Sequence, residues 1–337
     1  MRRLLALLGA LAMVGFALGA RSWWIDDDSG GSNGSGTPVV LCATELAAAC
    51  DELARNADVE IVLEPAGVST GTLSTSADTT SSLPYDGWLT FEPNAEIVRE
   101  ARVRSSLAPL LEDSSPAIAR SPLLLAIWDD RAEVLESHCG EITWRCLGDV
   151  AGTRWQSIGG EAAWGDVKPG HADPEATGEG LAIIGQAAAQ FFDRSDLSRD
   201  DFEEDAFLDW FARVERAAEL DADAYEHMLS FGPARYDVVA TTEAVVERTP
   251  ASRDRQESLR LLYPAPVATV DVVFAPFVGG SSDLADIVTG DDGHDALTNV
   301  GFRSDSEGDK PTLQGRSNLP DSGALVALLQ TWREVTG

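Results

Sequence analysis

The stretch 171–192, HADPEATGEGLAIIGQAAAQFF, gathers small and hydroxylated residues at one point in the chain. Asp173 and Pro174 set a turn, Thr177 supplies an N-cap, Gly178 and Gly180 clear side chains from the first helical turn, and a long apolar run follows. A helix start of this kind presents backbone N–H groups that no helical carbonyl can reach, at the positive end of the helix dipole. Such amides, with neighbouring hydroxyls, can hold an anion without any cationic side chain. The plainer reading is that Thr177 caps its own helix and the glycines allow tight packing. Polar turns of the same texture recur at Thr44 and Glu45, at Ser69 and Thr70 within GVSTGTL, and at Thr242 and Glu243 within ATTEAVV. Ser121 and Pro122 interrupt an otherwise apolar run, ARSPLLLAIW.

Each polar turn follows a strand pattern and precedes a helix pattern. PVVLCATELAAACDELAR reads as a buried strand, a turn and a helix with an apolar face, and DVEIVLEPA followed by GVSTGTL repeats the order. YDGWLTFEP and NAEIVREARV do so again, which predicts a parallel sheet with helices on its faces. Proline is poorly tolerated inside a fully paired strand, so the run carrying Pro122 reads as a crossover. Residues 129–229 differ in texture, with the cysteine-bearing loop ESHCGEITWRCLGDVAG and the helix RDDFEEDAFLDWFARVERAAEL. In that helix Phe207, Trp210, Phe211 and Val214 recur at helical spacing and read as core. ARYDVVATTEAVVE, LRLLYPAPVATVDVVFAP and SGALVALLQTWREV add three further strands and a closing helix.

The chain has 337 residues, of which 44% are hydrophobic, enough for sizeable cores. Acidic residues outnumber basic ones 56 to 25, for a formal charge of -31. A nucleic-acid backbone or an anionic lipid surface would be repelled, and the charge itself reads as a solvated surface. Two arginines and an unbroken apolar run from Leu4 to Ala20 have the layout of an export signal; with Trp23 and Trp24 following, a cleaved signal and a retained anchor over residues 1–24 both fit. Residues 25–38, rich in Gly, Ser and Asp, read as a flexible linker ending at Pro38. Four cysteines fit export, and local bonds Cys42 to Cys50 and Cys139 to Cys146 are the simplest of three connectivities. Neither pair has C-x-x-C spacing and the four histidines are scattered, so no metal or cofactor is expected.

The succession of these segments resembles the type II periplasmic or extracellular solute-binding fold, the receptor domains of ABC importers, in the branch around molybdate and sulfate. ARSPLLLAIW resembles the first hinge strand, PGHADPEATGEGLAIIGQ the helix opening of the second lobe, and RYDVVATTEAVV the returning hinge strand; YPAPVATVDVVFAPFV and NVGFR match the closing segments. The GHADPEATGEGL stretch also resembles binding-protein-like domains found with von Willebrand A modules in surface proteins. The resemblance implies a two-lobed α/β fold, each lobe a mixed, mostly parallel sheet flanked by helices. Lobe I would be 39–121 and 243–337, and lobe II 122–242. It implies that Thr44, Ser69, Thr70, Ser121, Thr177, Gly178 and Thr242 converge on one cleft, since ligands of open α/β sheets bind at the carboxyl ends of strands. Asp86 would face the cleft or cap a turn, Glu243 would contact the ligand or stabilise its own helix, and Tyr263 would form an aromatic wall or a structural strand end. A carboxylate in the cleft would count against an oxyanion as ligand.

The expected function is capture of a small solute, an oxyanion or another polar molecule, for an ABC permease. The alternative is a surface-tethered sensor or protein-interaction domain, with a von Willebrand A-type surface protein as partner. The chain carries no G-x-S-x-G elbow, no H-E-x-x-H and no Ser, His and Asp set that local sequence brings together, so an enzyme is not expected.

Overall fold

The computed structural model describes residues 36–77, 83–250, 258–303 and 317–337. The expected export segment, and all of the linker before Gly36, lie outside the described residues. The apolar run Val39–Ala43 forms β1, and a 3-10 turn, Thr44–Leu46, leads into α1 (Ala47–Asn56). Then come β2 (Glu60–Glu64), α2 (Ala66–Thr75), β3 (Gly87–Phe91) and α3 (Glu92–Arg104). The long strand β4 (Ala119–Trp128) is followed by α4 (Asp129–Cys139), α5 (Trp144–Val150), β5 (Pro169–His171), α6 (Gly178–Phe192) and α7 (Asp205–Ala217). The chain continues through β6 (Glu219–Leu220), α8 (Ala224–Phe231), β7 (Val238–Thr242), α9 (Glu243–Arg248), β8 (Leu259–Leu262) and β9 (Thr269–Pro276). Helices α10 (Ser282–Thr289), α11 (Asp291–Thr298) and α12 (Ser322–Thr336) complete it.

The strands run in the order β2-β1-β3-β9-β4-β7-β5-β6, with β8 also on β4. β1, β2 and β3 are parallel, so their carboxyl ends share one edge, as the helical crossovers require. β4 belongs to two ladders. Ala119–Pro122 pairs with β9, whereas Leu123–Ile127 pairs with β7, and Leu125–Trp128 pairs with β8. Pro122, which has no N–H to give, falls where one ladder hands over to the other. The run containing it is therefore a strand and a crossover at once. Lobe I is the half built on β1, β2, β3 and β9, and lobe II the half built on β5, β6, β7 and β8.

β8 pairs with Leu125–Trp128 at the far end of β4, and the next strand, β9, with Ala119–Pro122 at its near end, so residues 263–268 carry the chain from one end of β4 to the other. The closing helix bonds to two distant parts of the chain. α12 packs along α7 of lobe II, where Trp332 Nε1 donates to Glu215 at 2.8 Å and Arg216 Nε donates to the Val335 carbonyl at 2.7 Å. Its first residue, Ser322, donates to Glu100 of α3 in lobe I at 2.8 Å. α12 thus spans both lobes. An apolar helix buries its stripe where the larger apolar face lies, and α7 offers Phe207, Trp210, Phe211 and Val214, all buried as the spacing indicates.

Two differences from the sequence reading are local. The cysteine-bearing segment is not a loop but the end of α4 and all of α5, with Thr143 capping α5 through the Cys146 N–H. The helix read from residue 199 to residue 220 is split, because a Ser198–Asp201 capping box closes a separate 3-10 turn, Arg199–Glu203, before α7 begins. One hydrophobic cluster runs from β1 and β3 through β9 and β4 into β7, α6, α7 and α12.

Cys42–Cys50 and Cys139–Cys146 are both bonded. The first ties the tip of β1 to α1 directly behind the 3-10 turn Thr44–Leu46, and both its sulfur-bearing residues are buried. Replacing Cys42 and Cys50 together by serine frees a short loop in the unfolded chain. Stability should fall by roughly 2–3 kcal/mol in equilibrium denaturant unfolding, and an unchanged midpoint would show that the bond contributes nothing.

Candidate functional site

The carboxyl ends of β1, β2 and β3 deliver three helix or turn starts to one edge of lobe I: Thr44–Glu45, Pro65–Gly67 and Phe91–Asn94. Lobe II presents the residues between β5 and α6. The two sets touch. Gly67 N–H donates to the Ala176 carbonyl at 2.9 Å, a backbone bond between the start of α2 and the approach to α6. Glu45 makes the second link. Its Oε1 accepts from Gly178 N–H at 2.8 Å and its Oε2 from Ala66 N–H at 3.3 Å, so one carboxylate serves the first turns of two helices in different lobes. Glycine is required at both contacts by close approach. A Cβ on Gly67 would lie 2.1 Å from the Glu175 carbonyl oxygen, and one on Gly178 would lie 2.3 Å from the Phe91 ring.

Several sequence-predicted residues meet here. Thr177 caps α6 as expected, accepting from Gly180 N–H at 3.0 Å and donating to the Asp173 carbonyl at 2.8 Å. Ser69 is buried in the second turn of α2 and donates to Glu64 Oε2 at 2.5 Å. Thr70 donates to the Ala66 carbonyl and accepts from Asn94 Nδ2 at 2.9 Å. Thr44 is exposed beside Glu45. The helix-start amides that read as a seat for an anion are thus met by the protein's own carboxylate and hydroxyls.

Ser121, Thr242, Glu243 and Tyr263 form a second group at the hinge. Ser121 and Thr242 accept from the N–H groups of Ala244 and Val245 and so cap α9. Tyr263 donates to Glu243 Oε2 at 2.6 Å, and Arg303 Nε stands 3.1 Å from Glu243 Oε1, both Glu243 and Arg303 being buried. This ties the strand tip of lobe II to NVGFR of lobe I. Burial first, then the hydrogen bond to Glu243 and its charge, raises the Tyr263 phenol above its ordinary range. Asp86 is placed apart from both groups. Its carboxylate accepts from Val39 N–H at 2.8 Å, at the amino ends of β1 and β3, opposite the strand tips. There it ties the first residue of β1 to the turn that enters β3.

Sequence reasoning passed over Glu45, Glu64, Asn94 and Glu179. Glu45 stood in the polar turn next to Thr44, and the signal was its position two residues beyond the strand tip Ala43. Glu179, fully buried in the first turn of α6, accepts from Thr241 Oγ1 at 2.8 Å. Burial raises its carboxyl, against the lowering effects of Thr241 and Arg248. Burial likewise raises Glu45, with Glu179 adding repulsion, against three backbone N–H donors. His171, at the end of β5, is also buried; burial opposes its charge, but Glu215, 3.3 Å away and poorly aligned for a hydrogen bond, outweighs this and raises it. A cavity of about 700 Å³ opens elsewhere, between α3, β9 and the approach to α12, and none of the sequence-predicted residues lines it. Among the described residues no group of three or more His, Cys, Asp or Glu is placed to hold a metal ion, and no helix is long and apolar enough to cross a membrane.

No family model and no curated sequence relative matches the chain. Solved structures do. The periplasmic binding protein AfuA from Actinobacillus pleuropneumoniae, with fructose-6-phosphate bound, superposes with a TM-score of 0.57 at 14% identity, over 90% of this chain and 97% of that one. A periplasmic thiamin binding protein gives 0.58 at 9% identity, over 91% and 98%. Iron-bound HitA from Pseudomonas aeruginosa gives 0.59 at 14% identity, over 89% and 99%. The chain therefore has the two-lobed α/β fold of periplasmic binding proteins.

The raised carboxyls set a pH dependence. A carboxyl whose value is higher folded than unfolded holds its proton longer in the folded state, so its contribution is fullest below the ordinary carboxylate value and is lost as pH rises through the elevated one. Glu179→Gln keeps an acceptor for Thr241 and removes the charge. Melting temperature should then fall less between pH 5 and 8 (about the window above ordinary carboxylate titration) than in the native chain; parallel profiles would rule out Glu179 as a source.

Proposed function

We propose that this chain is an exported solute-binding protein that captures a small polar solute between its lobes for an ABC-type importer. The reading is carried by one observation. Glu45 of lobe I bonds the capped start of α6 from lobe II at the carboxyl ends of the lobe I strands, and beside it Ser69, Thr70 and Asn94 form a polar set bonded to Glu64, to the Ala66 carbonyl and to one another. Ligands of open α/β sheets bind at this end, and hinge closure around them is the usual motion of two-lobed receptors. The compared structures, described with fructose-6-phosphate, thiamin and iron, support a small solute and leave its class to this chain's own residues. Two carboxylates, Glu45 and Glu64, stand among the tips, which favours a solute rich in hydroxyl or amino donors over a free oxyanion.

A second reading is a binding-protein-like domain that serves as a surface sensor or interaction module. It is favoured by the direct bonding of the two lobes at Gly67 and Ala176 and by α12 lying across both. Genes for a permease and an ATPase beside this one would support import, whereas a neighbouring von Willebrand A or signalling gene would support the module.

Residues 37–337 form one compact unit and suit a thermal-shift screen. Against a panel of sugars, polyols, amino acids, amines and oxyanions, one donor-rich class should raise the melting temperature. At about a hundredfold excess over Kd, binding adds roughly 2.7 kcal/mol to stability. The Ser69→Ala, Thr177→Ala pair should abolish the shift by releasing the Glu64 carboxylate in one lobe and the cap of α6 in the other. No shift across the panel would overturn the import reading.

A further inference from the structure

Solute capture does not account for the way Glu45 is bonded. A binding cleft needs helix starts whose amides are open to a ligand, yet here one side chain takes an amide from each lobe. Gly178 N–H is 2.8 Å from Oε1 and Ala66 N–H is 3.3 Å from Oε2. Glu45 and Gly178 are 133 residues apart, so the link is tertiary. We propose that Glu45 is a built-in occupant of the interlobe seat, a latch that holds the lobes together when no solute is bound. This concerns the regulation of the site assigned above and requires the two-lobed cleft, but it does not depend on which solute the cleft accepts.

Three observations support the latch. Both amides belong to the set a helix cannot satisfy internally, and a carboxylate on two positive helix ends is favourable twice over. The Gly67 N–H to Ala176 carbonyl bond lies alongside, so the latch closes a contact already fitted backbone to backbone. The two glycines at the contact leave no room for a side chain, as the 2.1 Å and 2.3 Å approaches of a Cβ show. The consequence is an energetic threshold. A solute that seats on these amides has to displace Glu45, so simple anions gain nothing from the native protein. Truncating Glu45 leaves a two-amide recess of the size and polarity of a small carboxylate.

The test uses the full chain and two variants, with formate as the probe. Glu45→Ala should lower the melting temperature by roughly 3 °C or more, since two partly buried amides lose their acceptor. Its Gly178 and Ala66 amides should exchange hydrogen faster, and the radius of gyration should increase. Sodium formate should restore the melting temperature of Glu45→Ala saturably, whereas sodium chloride at equal ionic strength should not, and the native protein should respond to neither. Gly67→Ala suits the helix locally but wedges the same contact. It should speed exchange at Gly178 without any rescue by formate. Native exchange at Gly178 in Glu45→Ala, or a formate response shared with the native protein, would overturn the latch. Should Glu45→Ala fail to fold, native exchange at Gly178 in Gly67→Ala would overturn it. A chain that opens on Glu45→Ala but binds nothing in the solute panel fails the transport reading and keeps the latch; the reverse result keeps transport and removes the latch.

Discussion

The constraint from which the rest follows is that a helix cannot satisfy its own first amides. At several helix starts of this protein the acceptor is a side chain, and its source varies. α6 and α9 use the capping threonines Thr177 and Thr242, with Ser121 of β4 adding a second acceptor at α9. α12 uses Asp321, and α5 uses Thr143. The start of α2 has no side-chain cap of its own, because Pro65 precedes it, and it takes an oxygen of Glu45 from the neighbouring turn. The other oxygen of the same carboxylate reaches Gly178. An unmet backbone donor in one lobe is thus resolved by a group that also meets one in the other, and the lobes become linked through the accounting of amides.

This linkage acts together with the path of the chain. β4 is shared between the two ladders, residues 263–268 run between β8 and β9, and α12 lies across both halves with its apolar stripe on α7. The hinge cluster of Glu243, Tyr263 and Arg303 stands where the lobes diverge, and the Glu45 contact stands at the strand tips. Relative motion of the lobes requires the tip contact to break while the hinge cluster and α12 deform. In the proposed latch the tip contact is what an incoming solute would have to replace. The chemistry at the tips points the same way. Carboxylates and hydroxyls surround the helix starts, so under the proposed function a ligand would gain most by offering donors to Glu45 and Glu64 and least by competing as an anion.

Much of the architecture was legible in the chain, because strands and helices announce themselves through local periodicity. The strand, turn and helix order from Val39 to Arg104 needed no tertiary information, and neither did the cap at Thr177 or the buried stripe of α7. Pro122 marked the crossover because a missing N–H is a local fact. Spacing made the local cysteine pairs the simplest connectivity, and they are the bonds present. The pairings of the later elements were less legible. The pairing of β8 with β4 and the choice of α7 as the bed for α12 depend on which apolar faces are free once everything else has folded.

The site divides along the same line. By itself the sequence determined that polar strand tips would be presented to one edge, since parallel strands with helical crossovers place their carboxyl ends together. Only the tertiary structure decided what those tips face. Glu45 reads locally as a turn residue, and Asp86 reads as a polar residue before a strand. Their roles separate because the first lies opposite a helix start 133 residues away, whereas the second lies at the far end of the sheet. Whether a carboxylate is solvated or serves two amides is a property of its neighbours in space, and no local pattern encodes them.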